Sequence, residues 1–218
     1  TTGLTNGFKE LGVDGWLNIN DSLNIFLDGL DIAGVSDDGY FEDSLKAVTD
    51  YIRINKGRKA MLNTYTNYQN YATYGDAVMK ESCISRWGGT TNSPTYRFED
   101  WSIETSRYKF YSQHGIPVYC QSFGPIAGNY AMNDSNGRIT NMNAWDLAYY
   151  DFMASKVLGY EFFSYNQPSF DYTNVVEDYM WNYYKYPDVG VSMESDMTQY
   201  GADKFCRRYS NGNICVNI

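Results

Sequence analysis

The chain predicts an α/β domain built around a parallel β-sheet. Short apolar runs of strand length alternate with longer stretches whose apolar residues recur at helical spacing. Two acidic residues stand just past such runs, Asp28 after Ile25-Phe26-Leu27 and Glu81 after Ala77-Val78-Met79-Lys80. In parallel α/β folds the C-terminal ends of strands carry the chemistry. The chain's 218 residues fit one large domain, near the lower size limit of an α/β barrel. No repeat, low-complexity tract or flexible linker divides it. Residues 1–218 therefore read as a single domain with its core at 12–186.

The elements follow in order. Trp16-Leu17-Asn18-Ile19 is the first candidate strand and residues 25–28 the second. The link at 20–23 is too short for a parallel crossover, which needs a dozen or more residues. Either the first strand pairs as a hairpin or a crossover helix is missing. Phe41, Leu45, Val48 and Ile52 predict a helix over 41–55. Asp37, Asp38, Glu42 and Asp43 suit its positive end, and Lys56-Gly57-Arg58-Lys59 its exit. Strands are expected at 60–63 and 77–81, with a short helix or turn at 68–74. A helix at 99–113 stops at Gly115, and a strand at 116–120 carries Pro117 near its start, where proline is tolerated. Met142, Trp145, Tyr149 and Met153 mark a helix within 140–157, capped by Asn141 or Asn143. Residues 160–165 form the last core strand. Ser210-Asn211-Gly212-Asn213 turns a C-terminal hairpin over 204–218. About six core strands result, where a closed barrel has eight.

Composition narrows the function. The net charge of −9 repels phosphates, so nucleic acid and anionic membranes are not expected partners. No run approaches the roughly 18 apolar residues of a membrane span, so no membrane insertion is expected. The chain begins Thr1-Thr2-Gly3, without an initiating Met or signal peptide, as a processed form or a piece of a longer protein would. The 22 Tyr supply apolar faces with polar tips. These suit sugar clefts and assembly interfaces, and equally the packing of a secreted protein. The four Cys show no CxxC spacing, and His114 is the single His, so neither a zinc site nor another cofactor is expected. His114 precedes Gly115 at a helix end, where a cation suits the dipole. No phosphate-binding glycine loop is present.

Cys206 and Cys215 flank the C-terminal turn. A two-residue turn would set them diagonally, which leaves a disulfide there open. Cys83 and Cys120 end two consecutive predicted strands and could also meet. The even count, the sequons Asn20-Asp21-Ser22 and Asn133-Asp134-Ser135, and the few Lys suit an extracellular or cell-surface setting.

A carboxylate pair across a cleft is the apparatus of glycoside hydrolysis. Asp28 shares the parity of Asn24 and Phe26, and Glu81 that of Met79 and Cys83. If both parities point inward, the two carboxylates face one cleft. Glu81 is then the general acid and Asp28 the nucleophile or base; the plainer reading is that both cap following turns. Asp31 could orient Asp28 or a substrate hydroxyl. Asn63 and Tyr65 stand at the next strand end, and Gln121, Ser122, Ser164 and Asn166 at later ones, placed to hydrogen-bond sugar hydroxyls. Trp87, on the expected loop Arg86-Trp87-Gly88-Gly89, is either a stacking platform for a sugar ring or buried at the rim. Glu161 is a third strand-associated acid whose facing the pattern leaves open.

Four segments taken together resemble a known group: 12–18 (GVDGWLN), 25–31 (IFLDGLD), 79–82 (MKES) and 208–217 (RYSNGNICVN). They resemble the TIM-barrel glycoside hydrolases related to the endo-α-1,4-polygalactosaminidases, among them the hypothetical glycosyl hydrolase families. The resemblance implies a (β/α)8 TIM-barrel-like fold followed by a C-terminal β-hairpin. It implies an Asp after the fourth strand and a Glu after the sixth, which by motif are Asp28 and Glu81. The absent early strands and the short 20–23 link depart from that pattern and imply a barrel incomplete or truncated at its N-terminal side. The expected function is hydrolysis of an extracellular polysaccharide or oligosaccharide, one rich in amino sugars. The alternatives are a non-catalytic carbohydrate-binding protein and a structural subunit of a surface layer, filament or particle. That subunit would self-assemble or be completed by a neighbouring chain.

Overall fold

The computed structural model describes residues 13–17, 23–27, 39–63, 72–90, 93–125, 128–134, 137–166 and 187–218. They belong to two compact units, residues 1–81 with 110–118, and residues 82–109 with 119–218.

In the first unit, β1 (Val13–Leu17) and β2 (Leu23–Leu27) form an antiparallel hairpin, with Val13 opposite Leu27 and Leu17 opposite Leu23. The short link thus makes a hairpin, one of the two outcomes the sequence allowed. Helix α1 (Gly39–Asp50) follows and widens into a π-helical turn at Tyr51–Asn55. Leu45 and Ile52 are buried on its apolar stripe. The turn ends at Gly57, whose φ of 58° favours glycine, and Arg58 N donates back to Ile52 O. Strands β3 (Ala60–Asn63) and β4 (Ala77–Glu81) fall where the sequence placed them. β2, β3 and β4 are parallel neighbours, Leu27 beside Leu62 and Leu62 beside Val78. Asp76 braces the entry of β4, its carboxylate accepting from Ala60 N at 2.8 Å and Arg53 Nε at 3.1 Å. Val78 N donates to Pro117 O, bringing the approach to the next strand alongside β4.

The second unit contains a four-stranded sheet that the sequence reading did not foresee. β5 (Ser85–Thr90) and β6 (Ser93–Phe98) form a hairpin, as do β8 (Asn129–Asn133) and β9 (Ile139–Asn143). Parallel pairing of β6 with β8 joins them into one sheet of order β5-β6-β8-β9. Residues 86–89 are therefore strand, not the expected loop. β9 occupies 139–143, so helix α3 begins at Ala144 rather than near 140. Its cap is Asn143, whose side chain accepts from Asp146 N at 2.8 Å. Helix α2 (Trp101–Gln113) starts two residues later than expected, because Asp100 Oδ1 accepts from the Ser102 and Ile103 amides.

β7 (Val118–Phe123) and β10 (Phe162–Asn166) pair in parallel, with Gln121 beside Ser164. α3 (Ala144–Val157) connects them, as the alternating pattern predicted. The chain ends in an antiparallel sheet of β11 (Thr198–Tyr200), β12 (Lys204–Tyr209) and β13 (Gly212–Asn217). The hairpin is the expected one with a third strand added.

Both cysteine pairs form disulfides, Cys83–Cys120 and Cys206–Cys215. The second pair lies directly opposite in register rather than diagonally. The two-residue loop is Ser210-Asn211, with Tyr209 paired to Gly212, so the turn sits one residue earlier than its Asn-Gly signal suggests. Buried Arg207 anchors β12 to the helices, donating from Nε to Val157 O at 2.9 Å and from a terminal nitrogen to Tyr108 Oη at 2.6 Å.

The parallel sheet and the C-terminal antiparallel sheet stand as expected. Among the described residues the sheets are open and none closes into a barrel. The expected helix or turn at 68–74 lies mostly outside the described residues, as does the end of the predicted core at 167–186. No helix among the described residues is long and apolar enough to cross a membrane.

Candidate active site

Glu81 closes β4, and the strand's alternation fixes its surroundings. Ala77, Met79 and Glu81 are half-buried, whereas Val78 and Lys80 are fully buried. The carboxylate of Glu81 and the neighbouring Lys80 side chain, 1% exposed, therefore leave the strand on opposite faces. Asn63 ends the adjacent β3, with its Cα beside that of Met79. At 2% exposure its amide Nδ2 donates to Glu81 Oε2 at 3.2 Å. That bond orients the carboxyl. Immediately after Glu81 the chain bends at Ser82, a non-glycine residue with φ of 56°. Such backbone strain, of order 1–3 kcal/mol, is found at functional strand ends.

The other residues nominated from sequence divide into three groups. Asp28, Asp31 and Tyr65 lie outside the described residues. Gln121 and Ser164 are brought side by side on β7 and β10, both half-buried. The rings of Tyr119 and Phe162 stack two register positions before them, at 6.1 Å. Ser122 points the other way, fully buried, and accepts from Ile84 N at 3.1 Å, so it is structural. Trp87 is half-buried on β5 with its Cα beside that of Tyr96. Asn166 is the last residue of β10, in register with Phe123.

Two buried acids, Glu104 and Asp151, escaped the sequence reading. Asp151 on α3 is 0% exposed and meets Ser85 Oγ through Oδ2. Ser85 Oγ also donates to Phe123 O at 2.9 Å. A serine hydroxyl has one proton, and a carbonyl can only accept. With the Ser85 proton on Phe123 O, the Ser85–Asp151 bond takes its proton from a neutral carboxyl. Burial pushes its pKa well above the usual carboxylate range, outweighing the opposing pull of the Ser85 and Ser122 hydroxyls. Oδ1 completes no hydrogen bond of standard geometry. The signal lay in the helical stripe Leu147, Ala148, Asp151, Phe152, Ala154, Ser155, an acid set among buried positions.

Among the described residues no three His, Cys, Asp or Glu side chains gather as metal ligands. No protein-family model matches the chain, no curated protein matches it, and no solved structure matches it.

Proposed function

We propose that the chain hydrolyses glycosidic bonds in an extracellular polysaccharide, using Glu81 as general acid and Asp28 as nucleophile or base. One observation supports this above the rest. β2, β3 and β4 are adjacent parallel strands, and the three nominated polar residues stand at or just after their C-terminal ends. Asp28 follows β2, Asn63 ends β3, and Glu81 ends β4. Neighbouring strands lie about 4.8 Å apart, which separates the ends of β2 and β4 by about 10 Å. Strand ends at that spacing suit the roughly 5–9.5 Å between carboxyl groups that glycoside hydrolysis uses.

The chemistry follows from the polar contacts. A proton on Glu81 Oε1 passes to the leaving glycosidic oxygen. Once it has left, the Asn63 donor stabilises the carboxylate that remains. Asp28 supplies negative charge or activates water at the opposite side of the ring. The two disulfides are what an oxidising compartment sustains and suit a secreted enzyme.

The test is release of reducing ends from a glycan panel that includes polymers of amino sugars. Wild type is expected to cleave at least one polymer, and Asp28→Asn and Glu81→Gln to lower the rate at least a hundredfold while keeping the wild-type circular dichroism. Both variants cleaving at the wild-type rate would overturn the assignment. Binding of a polymer with no product from wild type would favour the non-catalytic carbohydrate-binding alternative.

A further inference from the structure

The two disulfides differ in what surrounds them. Cys83 and Cys120 are both 0% exposed, out of reach of a reagent while the chain is folded. Cys206 and Cys215 lie directly opposite on β12 and β13, and here Cys206 is 8% exposed while Cys215 is open to solvent. Exposed disulfides are the ones that exchange with thiols. Phe205, Arg207 and Tyr209 are buried on one side of β12, so strand alternation puts Cys206 on the other side with Lys204 and Arg208. That side opens into a hollow of about 410 Å³ lined by both cysteines. Its charged lining is Lys204, Arg207 and Arg208 against Glu194, three cations to one acid, on a chain whose net charge is −9. Glu194 offsets Arg208, 3.9 Å from its Nε, and Arg207 is buried and donates to Val157 O. Lys204 is the exposed cation that remains, two residues and about 7 Å along the strand from Cys206.

We propose that Cys206–Cys215 is an exchange site for small anionic thiols, which add to Cys215 and release Cys206. The attacking thiolate forms a new S–S bond with Cys215 Sγ. The Cys206–Cys215 bond breaks, and its electron pair leaves on Cys206 Sγ, which then takes a proton from water. A second thiolate attacking the added sulfur frees Cys215 and forms the reagent's own disulfide. Positive charge at the hollow draws an anionic attacker and stabilises the departing thiolate. The fold around the bond is held by other contacts. Five further residue pairs join β12 to β13, and Tyr209 Oη donates to Lys156 O at 2.7 Å. Exchange therefore proceeds on the folded chain and reverses when the thiol is removed under oxidising conditions.

The experiment treats the full chain, without denaturant, with 3-mercaptopropionate as the anionic thiol, 2-mercaptoethanol as the neutral one and cysteamine as the cationic one. Each rate is divided by the same thiol's rate with a small neutral disulfide, so that intrinsic reactivity cancels. Products are trapped with iodoacetamide and mapped by mass spectrometry. The first product should carry the added thiol on Cys215 and the alkyl group on Cys206, with Cys83–Cys120 intact. Normalised rates should fall from the anionic to the cationic thiol by about tenfold. Lys204→Gln should reduce that preference and Lys204→Glu abolish it, both with wild-type circular dichroism. The proposal fails if Cys83–Cys120 opens as fast, or if the added thiol sits on Cys206. Equal normalised rates for the three thiols, or a preference that Lys204→Glu leaves unchanged, would overturn it as well.

Discussion

Asp151→Asn separates a neutral buried carboxyl from an ionised one. An asparagine amide can donate to Ser85 Oγ as the protonated acid does, and it never titrates. In wild type the unfolded carboxyl ionises above a pH of about 3.9. The folded carboxyl keeps its proton to higher pH, because burial raises its pKa. Between the two values the unfolded state binds fewer protons than the folded state, so stability falls as pH rises. The slope is about 1.4 kcal/mol per pH unit for one proton. Below the unfolded value the contribution is complete; it stops declining once pH passes the folded value. Equilibrium urea denaturation of both proteins at half-unit steps from pH 4 to pH 8, without reductant, measures this directly. Subtracting one curve from the other cancels every other titrating group. The Asn variant should gain on wild type with that slope as pH rises. A difference independent of pH, or one in which wild type gains, would refute the hydrogen count at Ser85.

The remaining predictions concern the staples and the strand-end acid. Cys83 and Cys120 are 37 residues apart, and Cys206 and Cys215 are 9 apart. By loop entropy, replacing the first pair with alanine costs about 4 kcal/mol and the second about 2.5 kcal/mol. Guanidinium denaturation should rank them in that order, and the reverse order would contradict it. Arg207→Met should cost about 3 kcal/mol, since Val157 O and Tyr108 Oη lose a charged donor at a buried site; a melting temperature within a degree of wild type would count against the anchoring role. Asn63→Ala removes a donor that orients Glu81, so turnover of a cleaved glycan should fall about tenfold with circular dichroism unchanged. Turnover equal to wild type would contradict a positioning role for Asn63.

The strands flanking Glu81 were legible because each is a short apolar run with a polar residue at its end, and local pattern settles such cases. β3 and β4 fell within the predicted bounds, and the 20–23 link correctly allowed a hairpin. The sheet of β5, β6, β8 and β9 was not legible. Its segments, such as 93–98 (SPTYRF) and 139–143 (ITNMN), carry little apolar alternation, and β9 is largely exposed. Their pairing is long-range, and no local signal records it. The helical reading at 140–143 followed Met142, which belongs to β9, and only Asn143 marked the true start. Barrel closure was an inference from resemblance, and the strand count had already fallen short of eight. Asp151 was missed because an acid within an apolar helical stripe reads as exposed until Ser85 and Phe123, more than 25 residues away, are brought to it.

The division of roles between the two strand-end acids can be tested with one substrate pair. An aryl glycoside with a strongly acidic leaving group needs no proton at the departing oxygen, whereas the natural glycan does. Glu81→Gln should lose at least a hundredfold in kcat/KM on the glycan yet stay within about tenfold of wild type on the 2,4-dinitrophenyl glycoside, while Asp28→Asn loses both. Equal losses of Glu81→Gln on the two substrates, or no loss on either, would contradict proton delivery from the end of β4.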